Sequence, residues 1–249
     1  MKLKVLATAL LGLAVLMPPA FSIQAFAQVQ ALSDLPFLKK LALARAGDNA
    51  AKFAVGEAYE KGQGARLNTA EAAKWYREAA LAGVLDAQFR LALIVEKGAT
   101  GIKPDPTAAL KLLQAAANKG HARSQWAFGQ RLHRGEGLPK DDKLAALWVH
   151  KAAEQGLAVA QNDYATMLLN GWGAERNLDE AFKWFAKGAD QGDPWAMNNL
   201  GGMYEQGWGT PQDKDKAIDQ YQRAAAKGND GARKNLERLG LPVPPPATP

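Results

Sequence analysis

Small and large apolar residues alternate along this chain at offsets of three, four and eight positions, and the whole arrangement returns about every 36 residues. Its punctuation is a glycine: Gly47, Gly83, Gly120, Gly156, Gly192 and Gly228 are separated by 36, 37, 36, 36 and 36 residues. Three positions before five of them stand Ala80, Ala117, Ala153, Ala189 and Ala225, and eleven before stand Ala72, Ala109, Ala145, Ala181 and Ala217. Seven before come Tyr76, Leu113, Val149, Phe185 and Tyr221, with Trp75, Leu112, Trp148, Trp184 and Gln220 one position earlier. Offsets of three, four and eight lie on one face of an α-helix. The small residues admit a neighbouring helix and the large ones fill the space around them.

A second register precedes each of these helices. It ends at Gly62, Gly98, Gly135, Gly171 and Gly207. Six positions earlier are Gly56, Ala92, Gly129, Ala165 and Gly201, and seven earlier are Val55, Leu91, Phe128, Tyr164 and Leu200. Each repeat is therefore predicted to be helix, glycine loop, helix, glycine turn. Asn68, Asp105, Asp141, Asn177 and Asp213, fifteen before each closing glycine, sit where a side-chain oxygen accepts from a free N–H of the first turn. The closing glycine supplies the left-handed exit. Helices of this length are marginal in water, so stacking must stabilise them.

The predicted fold class is all-α. Five full repeats occupy 48–228, divided as 48–83, 84–120, 121–156, 157–192 and 193–228. Residues 28–47 form an N-terminal segment and capping helix, with Ala44 at the minus-three position, and 229–240 a C-terminal capping helix with Ala232 and Leu236 in register. The extra residue of the second repeat falls in its loop, Gly98 to Pro104. The segment 241–249 carries five prolines and is expected to be extended or disordered.

Two stretches carry a resemblance. One runs Ala196-Met197-Asn198-Asn199-Leu200-Gly201-Gly202-Met203-Tyr204-Glu205-Gln206-Gly207-Trp208-Gly209. The other runs Asp179-Glu180-Ala181-Phe182-Lys183-Trp184-Phe185-Ala186-Lys187-Gly188-Ala189-Asp190-Gln191-Gly192. Both closely resemble the Sel-one-like repeat (SLR), the longer-looped relative of the tetratricopeptide repeat, and the likeness covers nearly the whole chain after its first residues. It implies a right-handed α-solenoid used as a binding scaffold. Exported bacterial members are adaptors or regulators of envelope signalling, polysaccharide assembly or host contact. Some exported relatives are rich in cysteine and linked to β-lactam binding; this chain has no cysteine, which sets it apart from them.

The first residues add a location. Met1-Lys2-Leu3-Lys4 is a short basic start, Val5 to Met17 an uncharged apolar run, and Ala25-Phe26-Ala27 a small-x-small cleavage pattern. Together they predict a signal peptide over 1–27 and a periplasmic or secreted protein. The run is too short for a spanning helix, which takes about 20 residues, so no stable membrane insertion is expected after cleavage. Loss of Lys2 and Lys4 leaves 29 basic residues against 25 acidic ones. Interspersed charge of that size speaks to solubility and against nucleic acid.

A catalytic set is missing from the pattern. After residue 27 the chain has two serines, Ser33 and Ser124. Neither begins a Ser-x-x-Lys motif, and Ser124 occupies a small-residue packing slot. His121, His133 and His150 lack metal-ligand spacing, although His133 and His150 lie on the two helices of one repeat. Asp141-Asp142 and Asp213/Asp215 begin second helices, where capping accounts for them. No enzyme activity, cofactor or metal is expected.

Function is then left to surfaces. In tetratricopeptide-like stacks the concave wall is built mainly from first helices. The groove positions are Phe53, Phe89, Trp126, Asn162 and Asn198; then Glu57, Leu93, Gln130, Thr166 and Gly202; then Glu60, Glu96, His133, Leu169 and Glu205. Phe53 and Phe89 also suit the core between repeats. Asn162 and Asn198 suit the clamping of a peptide backbone. Trp172 and Trp208 each stand between two glycines and are expected side by side along one edge, as a binding surface or folded over their own loops. The preferred function is an exported scaffold holding a protein or peptide partner in this groove. The alternative is a cell-wall or carbohydrate binder, or weak hydrolase, with the tryptophans as stacking platforms.

Overall fold

The computed structural model describes residues 35–245; the expected signal segment 1–27 and the last four residues of the expected tail lie outside them. Among the described residues there are twelve α-helices and no strand. They fall into two compact units that divide between Lys119 and Gly120. The first unit holds α1 (Phe37–Arg45), α2 (Asn49–Lys61), α3 (Thr69–Leu81), α4 (Leu85–Lys97) and α5 (Pro106–Asn118). The second holds α6 (Ala122–Arg134), α7 (Asp142–Glu154), α8 (Ala158–Asn170), α9 (Leu178–Asp190), α10 (Pro194–Gln206), α11 (Lys214–Ala226) and α12 (Asp230–Arg238). Within each unit every helix packs on the next in sequence. The fold is an all-α solenoid.

Local chemistry explains the helix limits. All five predicted second-helix caps form: Asn68, Asp105, Asp141, Asn177 and Asp213 each accept from the backbone N–H three residues on, at 2.8–3.1 Å. The first helices are capped less uniformly. Asp48, Asp193 and Asn229 accept the same bond at 2.7–2.8 Å, whereas Val84 and Leu157 offer no side-chain cap. Four first helices end on a left-handed glycine with φ between 68 and 72°. In the second repeat Gly98 instead has ψ 172°. The extra loop residue is the reason: Ala99 and Ile102 exchange two backbone hydrogen bonds there, at 3.0 and 2.8 Å.

The core follows the predicted template. Ala72, Ala109, Ala145 and Ala181 are fully buried, and Tyr76, Leu113, Val149, Phe185 and Tyr221 fill the space between helices. Gly201 lies so close to Tyr221 that an added Cβ would meet the ring at 2.7 Å. A small residue is therefore required there by the large one opposite. Phe53 packs against Tyr76 with ring centroids 5.5 Å apart, and Phe89 is buried, so both belong to the core.

Candidate functional site

In the second unit the first helices α6, α8, α10 and α12 bring polar residues into a row. Nine residues before the loop glycines stand Trp126, Asn162 and Asn198. One position later stand Asp163 and Asn199, and 36 residues beyond Asn199 comes Asn235. Each residue of the earlier set bonds to the later-set residue of the next first helix, 37 positions away. Trp126 Nε1 donates to Asp163 Oδ2 at 2.7 Å, Asn199 Nδ2 donates to Asn162 Oδ1 at 2.9 Å, and Asn235 Nδ2 donates to Asn198 Oδ1 at 3.0 Å. Neighbours along the helices close the gaps. Asn162 Nδ2 donates to Asp163 Oδ1 at 3.0 Å and Asn198 Nδ2 to Asn199 Oδ1 at 3.3 Å. Gln130 also donates to Asp163 Oδ2.

This row revises the role expected of its members. Asn162 is buried, 8% exposed, and both polar atoms of its side chain are engaged. It is a rung between helices and not an open contact for a partner. Trp126 and Gln130 are spent on Asp163 in the same way. Thr166 bonds back to the carbonyl of Asn162 within α8 at 2.9 Å. Asn198 keeps access to solvent, because it lines a cleft of about 400 Å³ with Asn199, Gly202, Trp208, Asn235 and Arg238.

The acidic positions are also occupied from within. Tyr76 donates its hydroxyl to Glu60 at 2.6 Å, and Tyr221 donates to Glu205 at 2.8 Å. These two pairs occupy identical places in the first and fifth repeats. Arg90 stands 3.8 Å from Glu60, and Arg238 donates to both Glu205 oxygens at 2.7 Å. Burial opposes ionisation of Glu205, but Arg238 and Tyr221 outweigh it and hold the carboxyl below its ordinary range. The tyrosine hydroxyls are pushed up, by burial first and then by their carboxylate partners. Glu57 pairs with Lys61 at 2.8 Å. Glu96 is half-buried.

His133 and His150 part company. His133 Nδ1 lies 2.7 Å from Asp142 Oδ1, and Lys140 lies 3.3 Å from the other oxygen. Burial resists ionisation of Asp142, yet the bonds and charge from His133 and Lys140 hold its carboxyl low. So Asp141 caps α7, as expected, while Asp142 fixes a histidine. His150 sits with Tyr164 and Trp184, at ring distances of 4.5 and 5.8 Å. Among the described residues no group of three or more potential ligands is placed to hold a metal ion.

Trp172 and Trp208 are exposed, at 42% and 40%, and have different neighbours. Trp172 stacks on His133, centroids 5.1 Å apart and planes 32° apart, while Trp208 forms one wall of the cleft. The glycine after each indole is what places it. A Cβ on Gly173 would stand 1.8 Å from the carbonyl oxygen of Asp142, and one on Gly209 would stand 2.3 Å from that of Leu178. Each loop thus lies flat on the start of the second helix of the preceding repeat.

Sequence reasoning missed Asp163, Asn235 and Arg238. The first two carried a signal, a polar position recurring at 36 residues one step after the Trp126–Asn162–Asn198 series. Arg238 carried none, since an arginine near the end of a helix suits solvent equally well.

The Sel1 repeat profile matches residues 49–84, 85–121, 122–157, 158–193 and 196–229. A search of curated proteins gave no match. Among solved structures, a Sel1 repeat protein from Oxalobacter formigenes is 30% identical with a TM-score of 0.73, over 82% of this chain and 89% of that one. The protective antigen c5321 of uropathogenic Escherichia coli strains, which displays an SLR fold, is 31% identical with a TM-score of 0.69. That alignment covers 81% of this chain but spans only 44% of the antigen. The immunity protein Pa5087 from Pseudomonas aeruginosa, 20% identical over 93% of this chain and 92% of that one with a TM-score of 0.55, shares the fold.

Proposed function

Because this chain belongs to the Sel1 repeat family, whose solenoids are scaffolds for protein–protein interaction, we propose that it is an exported adaptor. It holds an extended segment of a protein partner along the first helices of its second unit. The observation that carries this is the cleft at Asn198, Asn199, Gly202, Trp208 and Asn235. Asn235 offers a carbonyl oxygen there, and the bonded amides of Asn198 and Asn199 each keep a second N–H and a second lone pair for a peptide backbone, beside an exposed indole of the kind enriched at binding hot spots. The Glu205–Arg238 pair cancels its own charge, so the cleft suits a neutral segment better than an acidic or basic one. Export rests on the basic start, apolar run and Ala-x-Ala pattern of residues 1–27. Among the described residues no helix is long and apolar enough to cross a membrane. A regulatory or assembly role in the bacterial envelope fits that location.

The test is positional photocrosslinking in cells. A crosslinker at Gln206, beside the cleft, yields a discrete protein adduct. One at Lys183, on α9 outside the cleft, does not. Gly202→Trp, which fills the cleft, removes the adduct while helical circular dichroism is kept. Equal adducts from both positions, or an adduct indifferent to Gly202→Trp, would reject the cleft. The exposure of Trp172 and Trp208 favours one other reading, a glycan platform. Sedimentation with peptidoglycan that depends on both indoles would select it.

A further inference from the structure

Asp163 is 36 residues from Asn199 and 72 from Asn235, yet one set of hydrogen bonds joins all three. Its Oδ2 accepts from the Trp126 indole and from Gln130. An indole N–H only donates, so this oxygen is held as an acceptor whatever the pH. Its Oδ1 accepts from Asn162. A carboxylate has no proton to give, so Asn162 must turn its Nδ2 toward Asp163 and its Oδ1 away. That oxygen obliges Asn199 to present Nδ2. The remaining Asn199 oxygen obliges Asn198 to do the same, and Asn198 imposes it on Asn235. Each amide has one acceptor end and one donor end, so the sense set at Asp163 passes unbroken through four side chains. At the far end Asn235 lines the cleft, with its Oδ1 unpartnered by protein.

We infer that Asp163 is a positioning residue for the cleft. Its carboxylate sets the direction of the Asn162–Asn199–Asn198–Asn235 chain, and protonation at Oδ1 reverses it. The atoms balance simply. A proton on Oδ1 makes that atom a donor, and Asn162 rotates its amide by a half turn to accept. Asn162 then presents Nδ2 to Asn199, and the same half turn follows at Asn199, Asn198 and Asn235. No covalent bond other than the O–H is made. The cleft then shows an amide donor at Asn235 where it had shown a carbonyl acceptor.

The surroundings of Asp163 permit this. Among the described residues no lysine or arginine is within ion-pair distance of it. The charges that reach it are Arg134 on α6, which favours the carboxylate, and Asp193 at the start of α10, which opposes it. Burial is the largest influence and pushes the carboxyl up, against the bonds from Trp126 and Asn162. Tertiary contact therefore makes the proton easier to acquire than on a free aspartate. The effect on a partner rests on the cleft assignment above. The amide relay itself does not, because it operates in the unliganded protein.

The experiment is a pH titration of the carbon-13- and nitrogen-15-labelled full chain by NMR, following Asp163 Cγ and the four asparagine side-chain amides. All five signals are expected to shift with one midpoint, above the ordinary aspartate range. Asp163→Asn supplies a donor and an acceptor at the same place. Its oxygen must face the Trp126 indole and its Nδ2 must face Asn162, so at neutral pH its amides take the positions that the parent shows in acid. In Asn199→Ala the signal of Asn162 still follows Asp163, while Asn198 and Asn235 cease to. The proposal is overturned if Asn198 and Asn235 ignore the Asp163 midpoint in the parent protein, or if Asp163→Asn keeps the neutral pattern. A relay that titrates as described, with partner binding indifferent to Asp163→Asn, would sink the cleft assignment and leave the relay standing.

Discussion

Tyr221 on α11 donates a hydrogen bond from its hydroxyl to Glu205 on α10 at 2.8 Å, and Arg238 on α12 grips the same carboxylate through both oxygens. One acid thus ties three consecutive helices of the second unit. The equivalent acid of the first repeat, Glu60, takes the hydroxyl of Tyr76 and has Arg90 nearby.

Removing the tyrosine hydroxyl leaves Glu205 with Arg238 alone. Hydrogen bonds to a charged partner contribute about 1.5–3 kcal/mol. Tyr221→Phe is expected to lower unfolding stability by an amount in that range, read from urea denaturation at neutral pH. A loss below about 0.5 kcal/mol, the scatter of ordinary surface changes, would show that the bond does not hold the helices.

The same acid predicts a pH dependence. Its folded-state pKa is depressed, so its stabilising contribution is complete above the ordinary glutamate range, near pH 4.3, and is lost as pH falls through the lower folded value. Parent and Glu205→Gln proteins should therefore differ most at neutral pH and converge in acid. A difference that grew on acidification would contradict the assignment.

Gly201 and Gly202 are neighbours on α10 with opposite expectations. A Cβ on Gly201 meets Tyr221 at 2.7 Å and the Ala217 carbonyl oxygen at 3.2 Å, whereas one on Gly202 meets only the Tyr221 hydroxyl, at 3.8 Å. Gly201→Ala should cost about 1–3 kcal/mol through overpacking. Gly202→Ala should gain roughly 0.5–1 kcal/mol from helix propensity. Thermal melts of the two variants check the pair, and a shared sign would refute the packing argument.

At Gly173 two costs coincide. Its φ of +72° suits glycine, and its missing side chain lets the loop lie on the Asp142 carbonyl. The left-handed conformation alone costs another residue roughly 1–2 kcal/mol. Gly173→Ala should exceed that and lift Trp172 off His133. Tryptophan fluorescence should then shift to longer wavelength as the indole gains water. In a Trp172→Phe background that shift disappears.

Cap removal offers a local comparison. Asn177→Ala, which deletes the bond to the Glu180 N–H at 3.0 Å, should cost about 0.5–2 kcal/mol. Leu157 occupies the cap position of α8 without such a bond, so Leu157→Ala leaves that accounting unchanged. Hydrogen exchange at the first turn of each helix distinguishes them.

The chain by itself determined its helices, their limits and its core. Those features rest on contacts three, four or eight residues apart, and a repeat presents them five times over: Asn177 caps because the N–H it meets is three residues away, and Ala181 is small because the next helix arrives at the same place in every repeat. The site obeyed a different rule. Whether Asn162 faces a partner or another asparagine depends on the angle at which α10 lies against α8, and a side chain that could serve in either place carries no mark of which it does. Trp172 met His133 for the same reason, since its loop lies back upon the repeat before it. Only the packed helices bring residue 163 to residue 126, and residue 199 to residue 162. Hydrogen bonds of fixed reach and direction then decide which polar groups close on one another and which stay open to a partner.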